Sequence, residues 1–270
     1  MFGILHRMTD ETSPWRLVVD SDLRGALNMA RDVAVLEAVA ESQSPPTLRL
    51  YGWDPPCLTL GRHQGVEAAN LEFCRAKGID VVRRPTGGRA LLHHHELTYA
   101  VVAPLGTGPL PRHLQDAYRS ICGALVAAVR ELGVNGELNG GEVNLQLPGP
   151  RSTAPCFEAP AGGEVVVSGR KLIGSAMRKH GGTILQHGAI LIDWDNELQT
   201  GAMGLSNDST LQQQVTTLAE ELKRKPPRQE VEMTIFEALS AELRVRLVNG
   251  ALTVREEARS HELAPSFDVD

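Results

Sequence analysis

Strand-like runs in this chain follow one another across turns rather than across helices, and that order most restricts the folds open to it. "TLRLYGW" and "CLTLGRHQ" read as two strands joined by the turn-forming "DPP". "IDVVRR" leads through the loop "PTGG" into "ALLHHHELTYAVVAP", a long strand or one broken once. "GEVVVSGRKLIGSAMRK" and "TILQHGAILID" add two strand pairs, and "WRLVVDSD" opens with another strand. Helices interrupt this series. The segment from Arg24 to Ala40 has helical apolar spacing, with Ser21 or Asp22 as a cap, and a short helix over "AANLEFCRAKG" stops at Gly78. In "RHLQDAYRSICGALVAAVRELGV" the positions Leu114, Tyr118, Ile121, Leu125, Ala128, Val129 and Leu132 form one face, ended by Gly133. "STLQQQVTTLAEELKRK" and "EVEMTIFEALSAELRVRL" read as two more helices separated by "PPRQ". Strict βαβ alternation is missing, and no glycine-rich turn opens a helix after a strand, which argues against a dinucleotide-binding fold. The expected class is α+β, a mixed, largely antiparallel sheet with packed helices. Residues 15–248 read as one domain and 249–270 as a C-terminal tail.

At 270 residues the chain can bury a substantial core, and with 4% aromatics that core is built from Val, Leu, Ile and Ala. The formal charge of −6 argues against a protein that coats nucleic acid. No run approaches the ~20 apolar residues of a membrane span, and no signal peptide is evident. Four scattered cysteines without a CxxC pair fit a reduced cytoplasmic protein.

Two stretches concentrate chemistry. In "VVRRPTGGRALLHHHELTY", Gly87 and Gly88 let a ligand approach the main chain, and Arg83, Arg84 and Arg89 add positive charge. A hairpin turn with solvated arginines would read the same. On a continuous strand His93 and His95 share a face and His94 does not, which makes half a zinc site at most; no metal is expected. In "SGRKLIGSAMRKHGG", Lys171 is either an exposed hairpin lysine or an ammonium aimed into a desolvated pocket. Cys57, Cys74 and Cys122 sit in apolar contexts and read as core. Cys156 sits in the proline-bracketed "RSTAPCFEAP", where it is either an inert thiol or a nucleophile. A free thiol with a pKa of ~8.5 needs a cationic neighbour such as Lys171 or Arg151 to be thiolate.

Taken in order, "LRLYGWDPPCLTLGRHQ", "RRPTGGRALLHHHELTY" and "GRKLIGSAMRKHGGTILQHGAILID" resemble the lipoate and octanoate protein ligase/transferase family, which shares its catalytic fold with biotin protein ligases. The resemblance covers roughly Trp15 to Asp193. "PRSTAPCFEAP" is similar to the acyl-accepting loop of that family's cysteine-dependent octanoyltransferases; its ATP-dependent ligases lack the cysteine and carry a third glycine where this chain has Arg89. The resemblance implies a class II synthetase/biotin-lipoate ligase-like fold. It implies octanoyl transfer from acyl carrier protein to a lysine of a lipoyl carrier protein, the glycine-cleavage H protein or a dehydrogenase lipoyl domain, without cofactor, nucleic acid or membrane. Cys156 and Lys171 become the catalytic pair, and Arg83, Gly87, Gly88, Arg89, His93, Gly174 and His187 the substrate-binding set. One departure is His94, where the family usually has Asp. An ATP-dependent lipoate ligase, an amidotransferase between lipoyl domains, and a non-catalytic acyl-carrier-binding subunit remain as alternatives.

Overall fold

The computed structural model describes residues 14–140, 162–206 and 210–269. In chain order it contains β1 (Pro14–Val19), α1 (Gly25–Ala40), β2 (Thr47–Tyr51), β3 (Cys57–Leu60), α2 (Leu71–Lys77), β4 (Asp80–Arg83), β5 (Leu91–His93), β6 (Glu96–Pro104) and α3 (Leu114–Glu131). Then follow β7 (Glu137–Leu138), β8 (Val165–Val167), β9 (Arg170–His180), β10 (Thr183–Leu191), α4 (Asn196–Ala202), α5 (Leu218–Leu222), α6 (Arg228–Glu242), β11 (Arg246–Asn249) and α7 (Val254–Leu263).

The strands form an eight-stranded sheet ordered β11-β1-β2-β6-β10-β9-β8-β7 and a three-stranded sheet ordered β4-β3-β5. Pairing is parallel across β11-β1-β2 and antiparallel from β2 to β7, so the large sheet is mixed. Its centre is β6 against β10, in register from Thr183↔Pro104 to Leu191↔Glu96. Both are buried on both faces, which explains why "LTYAVVA" reads as a nearly unbroken apolar run. One face is covered by α3 and α6, where Ile121, Leu125 and Val129 of α3 are fully buried against Tyr99, Val101 and Ile184. Each such side chain contributes about 1.5–3 kcal/mol of burial. The other face carries α1, with Met29, Leu36 and Val39 against Ala100, Val102 and Leu185. The small sheet closes the same side, where Leu58, Leu60 and Leu92 pack on Ala189 and Leu191. No helix among the described residues is long and apolar enough to cross a membrane.

The α+β architecture with a mixed, largely antiparallel sheet agrees with the sequence reading. Several local expectations change. β2 and β3 do not pair, because both edges of β2 are taken by β1 and β6; β3 instead centres the small sheet. The "LLHHHEL" strand breaks once, at His94–His95, and its halves enter different sheets. His93 and His95 therefore do not share a strand face; the His94 and His95 rings lie side by side, centroids 3.8 Å apart. Helix α1 has no side-chain cap, and Asp22 binds Arg228 instead. The helix expected over 209–225 splits into a 3-10 turn at Thr210–Gln214 and α5, separated by the β-branched Val215-Thr216-Thr217. Thr217 caps α5 by accepting from Glu220 N at 3.1 Å. The segment read as a tail folds as α7 and packs on α1.

Candidate active site

Lys171 is the second residue of β9 and only 1% exposed. Its Nζ lies 2.7 Å from Glu164 Oε2, and Glu164 is equally buried. A bulge decides which way this lysine faces. Val165 pairs with Ile173 and Val166 with Lys171, so Leu172 is the extra residue. At such a bulge the two opposed residues keep one face and the next residue turns to the other. Accordingly Leu172, Ile173 and Val165 join the core under α3 and α6. Lys171 turns to the opposite face, together with Val166 and Glu164. Gly174 and Ala176 also point there, opposite Ala189 and His187 of β10. The main chain of Lys171 is held too, its carbonyl accepting from Thr216 N at 2.9 Å.

His187 anchors the second half of the site. Its Nδ1 is 2.8 Å from Asp32 Oδ2, and its Nε2 is 2.6 Å from Thr86 Oγ1. Asp32, on α1, also receives Arg49 Nη1 at 2.7 Å and the Tyr51 hydroxyl at 2.9 Å. Burial alone would raise the Asp32 pKa. The hydrogen bond from His187 and the Arg49 guanidinium outweigh it, so the carboxyl titrates below its ordinary range and stays ionised. An ionised carboxylate on Nδ1 fixes the histidine tautomer, leaving Nε2 to accept from the threonine hydroxyl.

Thr86 begins the glycine loop between β4 and β5. Arg84, 7% exposed, is wound into it: its guanidinium donates to Gly87 O at 2.8 Å and Arg89 O at 2.7 Å, and to Thr59 O at 3.2 Å. Gly88 has φ +95, and a Cβ there would sit 2.5 Å from Arg84 Nη2. Its carbonyl approaches Gly61 so closely that a Cβ on Gly61 would lie 1.9 Å away. Two glycines are therefore required where the loop crosses the end of β3.

The structure thus gathers Gly174, His187, Gly87 and Gly88 around one side of the large sheet, with Lys171 farther along β9. The four-to-five-residue offset between Lys171 and the level of His187 corresponds to roughly 13–17 Å along the strand. Arg83 turns to the main chain, donating to Gly61 O at 3.1 Å and to Gln64 O. Arg89 is half-buried at the loop's end. His93 sits in a closed network: Nε2 on Thr59 Oγ1 at 2.9 Å, Nδ1 on Glu96, and its ring stacked on Trp53 with centroids 4.1 Å apart. Cys156 and Arg151 lie outside the described residues.

Glu164, Asp32, the bond from Thr86 to His187 and the organising role of Arg84 escaped the sequence reading. Asp32 and Glu164 carry no local signal, since each acts on a residue distant in sequence or across a bulge. The positive charge of these motifs is largely engaged within the fold. Arg83 and Arg84 are spent on loop carbonyls, Lys171 on Glu164, and Arg170 on Glu220 and Glu221 at 2.6 and 3.0 Å. Arg62 and Arg178 lie near each other, and the half-buried Arg178 is lowered first by burial and then by Arg62. Lys179, the next residue of β9, is exposed and faces the other side of the sheet. Burial pushes the Cys74 thiol up to about 11, Cys122 up to about 12 and Cys57 well above the ordinary range. All three described cysteines are therefore neutral thiols near pH 7, as core residues should be.

Solved structures share this architecture. A lipoate-protein ligase A bound with ATP superposes with a TM-score of 0.77 at 21% identity, over 93% of this chain and 94% of that one. A putative lipoate protein ligase from Thermoplasma acidophilum with bound lipoic acid gives 0.75 at 20% identity, over 94% and 95%. Sequence relatives are nearer. The octanoyltransferase LipM of Kyrpidia tusciae is 37% identical over 95% of this chain and 97% of its own length. LipM of Symbiobacterium thermophilum is 38% identical over 92% and 93%. The lipoyl protein ligase A/B catalytic domain model matches residues 24–240. The family model spans most of the chain and these relatives match nearly its whole length, so the chain belongs to the lipoyl protein ligase A/B catalytic domain family.

Proposed function

We propose that this protein is an octanoyltransferase of protein lipoylation, moving the acyl group through a thioester on Cys156. Its thiolate attacks the carbonyl of an octanoyl thioester on acyl carrier protein. The carrier's C–S bond breaks, the carrier leaves as a thiolate that takes up a proton, and the acyl group stays on Cys156. The ε-amine of a lysine on a lipoyl carrier protein, the glycine-cleavage H protein foremost, then attacks that carbonyl. An amide forms, Cys156 leaves as thiolate, and the amine's extra proton is released. A thioester becomes an amide, so the sequence runs downhill without ATP.

The observation that carries this reading is the buried, bulge-turned Lys171. An ammonium this deep beside a carboxylate is a preorganised charge for a thiolate and for the oxyanion of each tetrahedral intermediate. In the sequence Cys156 precedes Glu164 by eight residues. Asn139 N donates to Glu164 O at 2.8 Å, so residues 139 and 164, which flank Cys156 in the sequence, lie side by side. The three described cysteines are neutral thiols, which supports Cys156 as the reactive one. The octanoyl chain lies along the low surface left by Gly174 and Ala176, and the loop Thr86–Gly88, held by His187, covers its end. In this reading residues 15–248 form the catalytic domain.

The test supplies octanoyl-acyl carrier protein and H protein, with and without ATP, and measures octanoylated H protein by mass. Equal product in both arms is expected. Product that requires ATP and free acid would make the protein a ligase.

A further inference from the structure

The turn His94–His95 between β5 and β6 carries chemistry that acyl transfer does not use. Among the described residues, His94, His95 and Asp195 bring one ligand atom each to within 4.8 Å of one another. All three are half-buried. We propose that they form a binding site for a borderline divalent transition ion, Zn(II) by class.

Three features support a site rather than a chance encounter. The donor set is two imidazoles and one carboxylate, a combination that suits Zn(II) and its first-row neighbours and is poor for Mg(II) or Ca(II). With metal–ligand bonds of about 2.0–2.2 Å, tetrahedral donors stand roughly 3.4 Å apart, so closing the triangle takes side-chain adjustments of about an ångström. The backbones that carry the donors are tied together: Ile192 N and Asp193 N both donate to His95 O, at 3.1 and 3.0 Å. Asp195 follows two residues later and caps α4, with Oδ1 accepting from Leu198 N at 3.0 Å. That bond orients the carboxylate without exhausting its acceptor capacity. Nearby, Lys225 is paired with Asp193 at 3.1 Å, so one cation faces two carboxylates and the surroundings stay favourable to a positive ion. Among the described residues three protein ligands converge, and water would complete the coordination.

The bound ion would clamp the β5–β6 turn to the start of α4. Equilibrium dialysis of the full chain against ZnCl2, with metal counted by atomic emission, tests this directly. About one zinc per chain is expected, together with a raised thermal midpoint. His94→Ala/His95→Ala should abolish both, and the single variants serve if the double variant fails to fold. Asp195→Asn keeps a cap acceptor and should weaken binding by about tenfold or more. Absence of zinc on the wild-type chain overturns the proposal. So does zinc retained by the histidine variants, which would place the ion on thiols or carboxylates elsewhere.

Discussion

Lys171 and Glu164 define the site at the scale of single residues. A buried ion pair gains little over an apolar pair, but removing one partner strands the other charge. Glu164→Ala should therefore lower stability by about 3–5 kcal/mol, read as a shift in the urea midpoint. Lys171→Met removes the charge and leaves an apolar side chain of similar length. Alone it strands Glu164, so it is combined with Glu164→Gln, which removes both charges together. The double variant should fold and yet slow single-turnover acylation by about 10²–10⁴-fold, with Glu164→Gln alone as the reference. A rate no lower than that reference would remove Lys171 from the mechanism. From its spacing alone, Lys171 read more readily as an exposed hairpin lysine. Alternation places it with Ile173, under α3, and one extra residue at Leu172 reverses that. Nothing in "GRKLIGS" announces the bulge, so the lysine was legible and its direction was not.

Helix α7 shows what a whole element adds. Arg16 of β1 donates to both oxygens of Glu256 at 2.7 and 2.6 Å, and Ser44 Oγ donates at 2.8 Å. Glu256 also completes a capping box with Thr253. Burial raises the Glu256 pKa, but the hydrogen bonds from Arg16 and from Thr253 N, with the Arg16 charge, outweigh it, so the carboxyl titrates below its ordinary range. A depressed folded pKa stabilises above the unfolded value of about 4.3, and that stability is lost as pH falls through the folded value. Glu256→Gln should cost about 3–5 kcal/mol at pH 7, with the gap in urea midpoint closing below about pH 4. A gap that stays constant from pH 7 to pH 3 would contradict this account. The box "TVRE" was present in the sequence, but a helix this charged has no apolar stripe and reads as a tail. The helices α1 and α3 were legible because each buries a broad apolar face.

At the scale of the molecule, the large sheet separates two jobs. The face under α3 and α6 is core, while the face toward α1 and the small sheet holds Lys171, Gly174, His187 and the glycine loop. Three ordered motifs made the fold and most of this constellation legible, because each motif bears its own part of it. The partners Asp32 and Glu164 were not, since they meet their targets only through the sheet. Arg62 and the half-buried Arg178 remain as neighbouring cations on a chain whose net charge is −6, with Glu37 close enough to offset part of their repulsion. The central claim is that the acyl group passes through Cys156 without ATP. Intact-mass measurement after mixing the protein with octanoyl-acyl carrier protein tests it most directly. One octanoyl adduct, cleaved by hydroxylamine and absent from Cys156→Ala, is predicted; a stable adduct on Cys156→Ala would contradict the account.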